Sequence, residues 1–273
     1  MSLGIAFKGA EGIVLAADSR VTLMPQVVSP IGPIMIPATY DSATKLLQVS
    51  GQNFVGVVTY GAGVIGLQTP RTAHSYIPEF EAELAKADTN RLPVLEFAQR
   101  LSDFFLKQWQ DNMPQDIQGS DLVFLVGGYN ENEPYGHVFE IFIPSRPKPN
   151  ELNAGPGAFG IAWGGQREIT DRLVQGFDPN LPGIVQQFLG LPDDKRNDLD
   201  AHLRNTLSVP IPYPFLPLQD CVDLCIFLIR TTITIQTWSL GIRGVGGAID
   251  VATITKTDGF QPIQRKKVTG DTD

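Results

Sequence analysis

Short apolar runs separated by glycine-containing turns dominate the first sixty residues. LGIAF (3–7) and GIVLAA (12–17) flank one turn, and KLLQVS (45–50) and NFVGVVTY (53–60) flank another. Apolar runs of this length, bounded by turn residues, are typical of paired strands. We therefore predict two β-hairpins. The segment between them, 21–43, contains four prolines and predicts a long irregular loop.

Apolar residues at helical spacing mark the helices, and apolar runs mark the later strands. Helices are predicted within 76–87, 92–109, 167–177, 193–207 and 221–238, with Pro78 as an internal break or a boundary. Further strands are predicted within 121–129, 136–144, 159–163, 248–255 and 259–264. The Pro/Gly-rich stretch 144–158 predicts no strand, and 178–216 predicts a surface insertion with one charged helix.

The order of these elements is strands, two helices, strands, helices and strands. This order predicts an α+β fold with two sheets and helices on their outer faces. The 273 residues, 42% hydrophobic and 18% charged, are enough for one continuous domain over 1–273 with a sizeable buried core.

Charge and hydropathy exclude several classes of function. The net charge of −8 argues against nucleic acid as a partner, because such proteins present a basic face. No run approaches the roughly 20 apolar residues that a membrane helix needs. The chain start lacks the basic and apolar regions of a signal peptide, so we expect a cytoplasmic protein.

Cysteine and histidine give little support for a metal site. Cys221 and Cys225 lie four residues apart in a predicted helix, where buried core thiols are the simpler interpretation. His74, His137 and His202 are scattered and form no metal-ligand motif. We expect neither a metal nor an organic cofactor.

The N-terminus carries the first candidate chemistry. Removal of Met1 by methionine aminopeptidase, which acts when the next residue is small, would leave Ser2 with a hydroxyl and a free α-amine. Such an amine has a pKa of about 7.7–8.0, so it can serve as base to its own hydroxyl. Ser2 alone means little, since serine after the initiator methionine is common.

Three further residues fall where such a nucleophile needs them. Asp18 ends the second strand of the first hairpin, which returns beside the chain start. Lys45 opens the next strand and is the natural cation. Gly61 ends the strand after that, where its backbone N–H can serve as an oxyanion donor. Individually Asp18 and its neighbours could be ordinary strand-end residues, and only their joint spacing favours a site.

Several segments resemble the signature of proteasome β-subunits. These are, in order, GIVLAADSR, SATKLLQV, FVGVVTYGAG, DLVFLVGGY and VGGAIDVATITKTDGF, which together extend over most of the chain. Within this superfamily GQREITDRLV is most similar to the Anbu-type bacterial proteasome homologues. The resemblance implies the N-terminal nucleophile hydrolase fold, a four-layer αββα sandwich, assembled into homo-oligomeric rings or open spirals.

The resemblance also implies roles for individual residues. Ser2 would be the nucleophile of a threonine-peptidase-related hydrolase, Asp18 and Lys45 a charge pair, Arg20 their support, and the Gly61 amide the oxyanion donor. The substrate would be a peptide or another amide. A closed chamber would be compatible with an unfoldase partner.

The chain departs from the proteasome pattern around these residues. The nucleophile is Ser instead of Thr, and the loop before Lys45 is about ten residues longer than usual. The polar pair that supports the terminal amine falls on Ile242 and Val245, and a further serine on Gly164. A catalytically silent scaffold subunit with the same fold is therefore a second hypothesis.

A third hypothesis comes from GAGVIG (61–66), which fits the dinucleotide-binding pattern G-x-G-x-x-G. It follows an apolar strand, and Glu79, Glu81 and Glu83 follow about 20 residues later. The preceding strand belongs to a hairpin, however, and prolines interrupt the helix that should follow. A nucleotide-dependent oxidoreductase is the weakest of the three hypotheses.

Overall fold

The computed structural model describes residues 2–23, 26–29, 32–67, 69–86, 91–114 and 119–270. The strands are β1 (Leu3–Lys8), β2 (Ile13–Asp18), β3 (Val21–Leu23), β4 (Gln26–Ser29), β5 (Gly32–Met35), β6 (Ala38–Tyr40), β7 (Leu46–Leu47), β8 (Val55–Gly61), β9 (Leu122–Gly128), β10 (His137–Ile143), β11 (Arg146–Leu152), β12 (Gly160–Gly165), β13 (Ile249–Thr255) and β14 (Gly259–Gln264). The helices are α1 (Ile77–Lys86), α2 (Val94–Asn112), α3 (Glu168–Val174), α4 (Leu181–Leu189), α5 (Asp193–Leu207) and α6 (Leu218–Trp238).

The first five-stranded sheet has the order β12-β1-β2-β13-β14 and is antiparallel throughout. Every residue of β1 and of β2 is buried. A strand without polar alternation has to be covered on both faces, which explains the two uninterrupted apolar runs at the chain start. The predicted first hairpin is confirmed.

The second sheet has the order β11-β10-β9-β8-β7 and is also antiparallel. The predicted hairpin of β7 and β8 is confirmed, as is the pair β9 and β10. The long helix α2 packs on this sheet through its apolar face, with Phe97, Leu101 and Phe105 fully buried in the shared core.

Three apolar clusters hold the layers together. One joins α1 and α2 to the second sheet, and one joins α6 to the first sheet. The third lies between the two sheets, where Leu15 and Ala17 of β2 meet Val58 of β8 and Leu125 of β9. The predicted α+β class is confirmed. None of the described helices is long and apolar enough to cross a bilayer.

Three sequence predictions about local structure are wrong. The described residues of 21–43 are not an irregular loop, because β3 pairs with β6 and β4 with β5. The stretch 144–158 contains β11, whose two prolines are tolerated because it is an edge strand. The insertion 178–216 has a second helix, α4, which begins at Leu181 with Pro182 in its first turn and is followed by Gly190 in a left-handed conformation.

Candidate active site

The start of β1 and the end of β2 lie side by side, as the hairpin predicts. Gly4 pairs with Ala17, so the residues that precede and follow this pair are neighbours. The backbone N–H of Leu3 donates to Oδ1 of Asp18 at 3.0 Å. Ser2 is therefore held directly beside the Asp18 carboxylate.

The Asp18 carboxylate is fully buried and accepts four hydrogen bonds. Oδ1 accepts from Lys45 Nζ at 2.6 Å and from Leu3 N. Oδ2 accepts from Arg20 N at 3.1 Å and from Gly246 N at 2.9 Å. A carboxylate without solvent is tolerated only when charge and hydrogen bonds replace the lost water, and here both are supplied.

Lys45 is buried with its ammonium between two acceptors. Nζ donates to Asp18 and to the backbone carbonyl of Arg20 at 2.5 Å. Burial lowers the pKa of the Lys45 ammonium below its ordinary value, although the Asp18 carboxylate opposes this shift. The side chain is therefore a desolvated cation fixed by a single carboxylate.

Arg20 contributes to the site through its backbone. Its N–H and C=O bind Asp18 and Lys45, whereas its guanidinium makes a two-pronged ion pair with Asp41 at 2.5 and 2.7 Å. The Arg20 guanidinium lowers the pKa of the Asp41 carboxyl. A Cβ at Gly246 would overlap this guanidinium, so a side chain there would have to displace Arg20.

Ser2 is almost fully buried and faces a small cavity. The carbonyl oxygen of Ser2 accepts a hydrogen bond from Gln166 N at 2.7 Å. The cavity has a volume of about 30 Å³ and is lined by Ser2, Lys45, Thr59, Tyr60, Ala62 and Gly63, among others. This volume suffices for about one water molecule. Met1 lies outside the described residues, so its removal stays a prediction.

Gly61 immediately precedes two residues that line the cavity, and its backbone conformation favours glycine. Its φ is +87°, and a Cβ there would overlap the carbonyl of Asp121, which accepts a hydrogen bond from Ala62 N at 2.8 Å. Among the described residues that line the cavity, Ala62 and Gly63 are present and Gly61 is not. Gly63 was not identified from the sequence as a residue of the site, although the glycine-rich stretch that contains it could have indicated it.

The missing serine at Gly164 has a structural explanation. A Cβ at Gly164 would overlap the Tyr60 ring and hydroxyl, which lie against this backbone. The Tyr60 hydroxyl donates to Glu140 Oε1 at 2.9 Å. Burial and the Glu140 carboxylate raise the pKa of the Tyr60 phenol, so the hydroxyl keeps its proton. The next residue, Gly165, lies so close to the Ser2 carbonyl that a side chain would collide with it.

Gln166 and Gln236 form hydrogen bonds at the loop where the proteasome pattern has polar residues that support the terminal amine. Ile242 is exposed and Val245 is buried, and neither provides a polar side chain. Instead, Gln236 donates to the Gln166 side chain at 2.5 Å and accepts from Val245 N at 3.0 Å. This chain of contacts links the Ser2 carbonyl to the loop whose Gly246 N–H binds Asp18. Gln166 and Gln236 are 70 residues apart in the sequence, so their spacing does not reveal this chain of contacts.

The dinucleotide hypothesis is wrong. GAGVIG begins at the end of an antiparallel strand, and α1 starts only at Ile77 after a bridge between Ile65 and Arg71. The motif needs a helix N-terminus directly after its glycines and a parallel sheet. All pairings of the described strands are antiparallel.

The two cysteines are buried free thiols of the core, as predicted. Within the described ranges, no group of three or more histidine, cysteine, aspartate or glutamate side chains is arranged to hold a metal ion.

Comparison with known proteins gives a likeness of fold. No family model matches the chain, and no curated protein matches it. A solved structure, the Anbu (Gly-1) mutant from Hyphomicrobium sp. strain MC1, matches 99% of this chain and 88% of its own. The TM-score is 0.55 and the sequence identity is 14%. The similarity to Anbu-type proteasome homologues that the sequence motifs indicate is thus confirmed, and it is a similarity of fold.

Proposed function

We propose that this protein is a proteasome-like N-terminal nucleophile hydrolase that cleaves peptide or other amide bonds with Ser2 after removal of Met1. The four-layer αββα sandwich of that class accounts for two packed sheets with helices outside them. One observation carries the proposal: Lys45, which forms a buried ion pair with Asp18, lines the same small cavity as Ser2.

The chemistry follows from the groups around this cavity. The free α-amine of Ser2 takes the proton of the Ser2 hydroxyl, and Oγ attacks the carbonyl carbon of the substrate amide. The positive potential of Lys45 stabilises the alkoxide and the charge that develops. The backbone N–H of Gly61 donates to the oxyanion.

The tetrahedral intermediate then collapses. The C–N bond breaks, and the leaving amine takes its proton from the Ser2 ammonium. The acyl group remains as an ester on Oγ, and water, activated by the same α-amine, hydrolyses it. Asp18 acts through Lys45 by fixing its position, and Arg20 holds both through its backbone N–H and C=O.

Assembly into a homo-oligomeric ring or open spiral is part of the proposal. Large apolar side chains are exposed on α4, at Ile184, Phe188 and Leu189, and at the end of α6 and just after it, at Trp238 and Leu240. Exposed apolar side chains concentrated in this way are typical of surfaces that contact other subunits. An unfoldase partner would be needed only if the assembly encloses its sites.

Intact mass spectrometry before and after a β-lactone probe tests the proposed nucleophile. We expect loss of Met1 and a single adduct that maps to Ser2. The Ser2→Ala variant should fold and assemble as the wild type does, yet take up no adduct. An adduct of equal yield in Ser2→Ala would exclude Ser2 as the nucleophile.

A silent scaffold subunit is the second candidate. It is favoured by the Tyr60 ring that lies over Gly164 and by the apolar Ile242 and Val245, which replace polar supporters of the amine. Retained Met1 and no adduct, in a protein that still assembles by analytical ultracentrifugation, would make the scaffold the better account.

A further inference from the structure

A large groove lies next to the Ser2 cavity. Its volume is about 630 Å³. Thr44 lines both the groove and the cavity, and His74 of the groove directly follows Thr72 and Ala73 of the cavity. The two spaces are therefore adjacent along two separate segments of the chain.

The groove has two walls, which are lined mostly by polar side chains. One wall consists of alternate residues of 42–50, the segment that contains β7, and alternation places them on one face of an extended chain. Their side chains are those of Ser42, Thr44, Leu46, Gln48 and Ser50. The other wall is 265–269, which follows β14. Arg265 bridges the walls by donating to Gln48 Oε1 at 3.3 Å.

The charge of the groove is opposite to that of the chain. Arg265, Lys266 and Lys267 line it, whereas Asp250 is its one carboxylate among the described lining residues. Asp250 is buried and already binds Lys266 through both Nζ, at 2.5 Å, and the backbone N, at 2.8 Å. Arg265 and Lys267 remain exposed cations in a chain of net charge −8. Such a cleft concentrates anionic ligands.

Two observations favour a peptide over a compact anion. The Ser2 cavity holds about one water molecule, so most of any substrate has to lie outside it. The groove is bounded by β7, an edge strand of the second sheet, and by the segment that follows β14, an edge strand of the first sheet. Edge strands offer unpaired backbone N–H and C=O groups, which an extended peptide can bind.

We infer that this groove binds acidic, extended peptide segments and holds them beside Ser2. The inference rests on the proposed function for its catalytic consequence, since it names the substrate class of that site. Carboxylates of the peptide would pair with Arg265 and Lys267, and hydroxyls such as that of Thr44 would bind its backbone. Lys266 would remain with Asp250 and fix the position of the wall.

Binding can be measured without turnover in the full-length Ser2→Ala protein. The probes are two fluorescently labelled octapeptides with blocked termini, one of glutamate and one of glutamine, followed by fluorescence anisotropy. We expect the glutamate peptide to bind at least about tenfold more tightly at low salt and to weaken as salt screens the charges.

The groove variant is Arg265→Gln/Lys267→Gln, and its matched control is Arg196→Gln/Lys256→Gln. All four residues are exposed, and both variants change the net charge equally. The groove variant should lose at least tenfold in affinity for the glutamate peptide, whereas the control should stay within about twofold. Equal affinities for the two peptides, or equal losses in the two variants, would overturn the inference.

Two further measurements test whether the preferred anion is a peptide and whether the groove holds substrate for Ser2. Tighter binding of a short polyphosphate than of the glutamate peptide would overturn the assignment to peptides. In the wild type, the glutamate peptide should slow labelling of Ser2 by the β-lactone, and binding without slowing would contradict a substrate groove. If Ser2 takes no label at all, the proposed function fails. The anisotropy measurements would still test whether the groove binds acidic peptides.

Discussion

Asp18 and Arg20 are two residues apart on the chain, yet the ion pairs that they form differ in almost every physical respect. The Asp18–Lys45 pair is buried, with side-chain exposures of 0% and 7%, and every Asp18 oxygen is hydrogen-bonded. The Arg20–Asp41 pair is bidentate but exposed, at 18% and 48%. Lys45 of the buried pair lines the Ser2 cavity, whereas the exposed pair joins the segment between β6 and β7 to the residues that follow β2.

The difference shows that the buried pair can influence a reaction through its electric field, whereas the exposed pair cannot. Solvent screens an exposed pair, and such pairs contribute about 0–1 kcal/mol. A buried pair keeps its field, but removal of one partner leaves an uncompensated charge. We therefore expect Lys45 and Asp18 to govern reactivity and stability together, and the Arg20–Asp41 pair to affect local order.

The largest effect is expected for Asp18→Ala. The variant leaves the buried Lys45 ammonium with only the Arg20 carbonyl, so the free energy of unfolding should fall by about 3–5 kcal/mol. Urea unfolding followed by circular dichroism measures this change. A fall of less than about 1 kcal/mol in the free energy of unfolding would contradict the conclusion that Asp18 and Lys45 form a buried ion pair.

A smaller loss is expected for Gly61→Ala. The new Cβ would overlap the Asp121 carbonyl in addition to the strain of φ +87°. Gly51→Ala is the matched control, since Gly51 has φ +78° with nothing within 4 Å of the added Cβ. Gly61→Ala should cost about 1–3 kcal/mol more than the control, the usual range for overpacking. Equal losses in the two variants would show that backbone strain alone requires Gly61.

The smallest effect is expected for Asp41→Ala. Loss of an exposed carboxylate should lower the free energy of unfolding by no more than about 1 kcal/mol, and less at high salt. Urea unfolding at two salt concentrations measures it. A salt-independent loss as large as that of Asp18→Ala would remove the contrast between the pairs.

The sequence predicts that Ser2 and Asp18 are neighbours because a hairpin is local and returns the end of β2 to the start of β1. Lys45 precedes a strand of the other sheet, and only its charge and its place in the chain suggest it as the cation of the site. Prediction from the sequence fails where distant segments meet. No periodicity shows that Tyr60 lies over Gly164, or that Gln236 supports the loop at Val245 through Gln166.

The strands that the sequence analysis did not predict also depend on contacts between separate segments. The prolines of β11 are breakers in isolation, yet an edge position accommodates them because half of its backbone groups need no partner. The short strands of 21–43 depend on pairing with one another, which proline content alone does not reveal.

The most direct test of the account is the rate at which the β-lactone labels Ser2 in Lys45→Ala and in Arg20→Ala. We predict at least a hundredfold loss in Lys45→Ala, because the field at the nucleophile disappears. Arg20→Ala keeps the backbone N–H and C=O that bind Asp18 and Lys45, so its rate should stay within about threefold of wild type. A fully reactive Lys45→Ala protein, or equal losses in both variants, would contradict the role given to the buried pair.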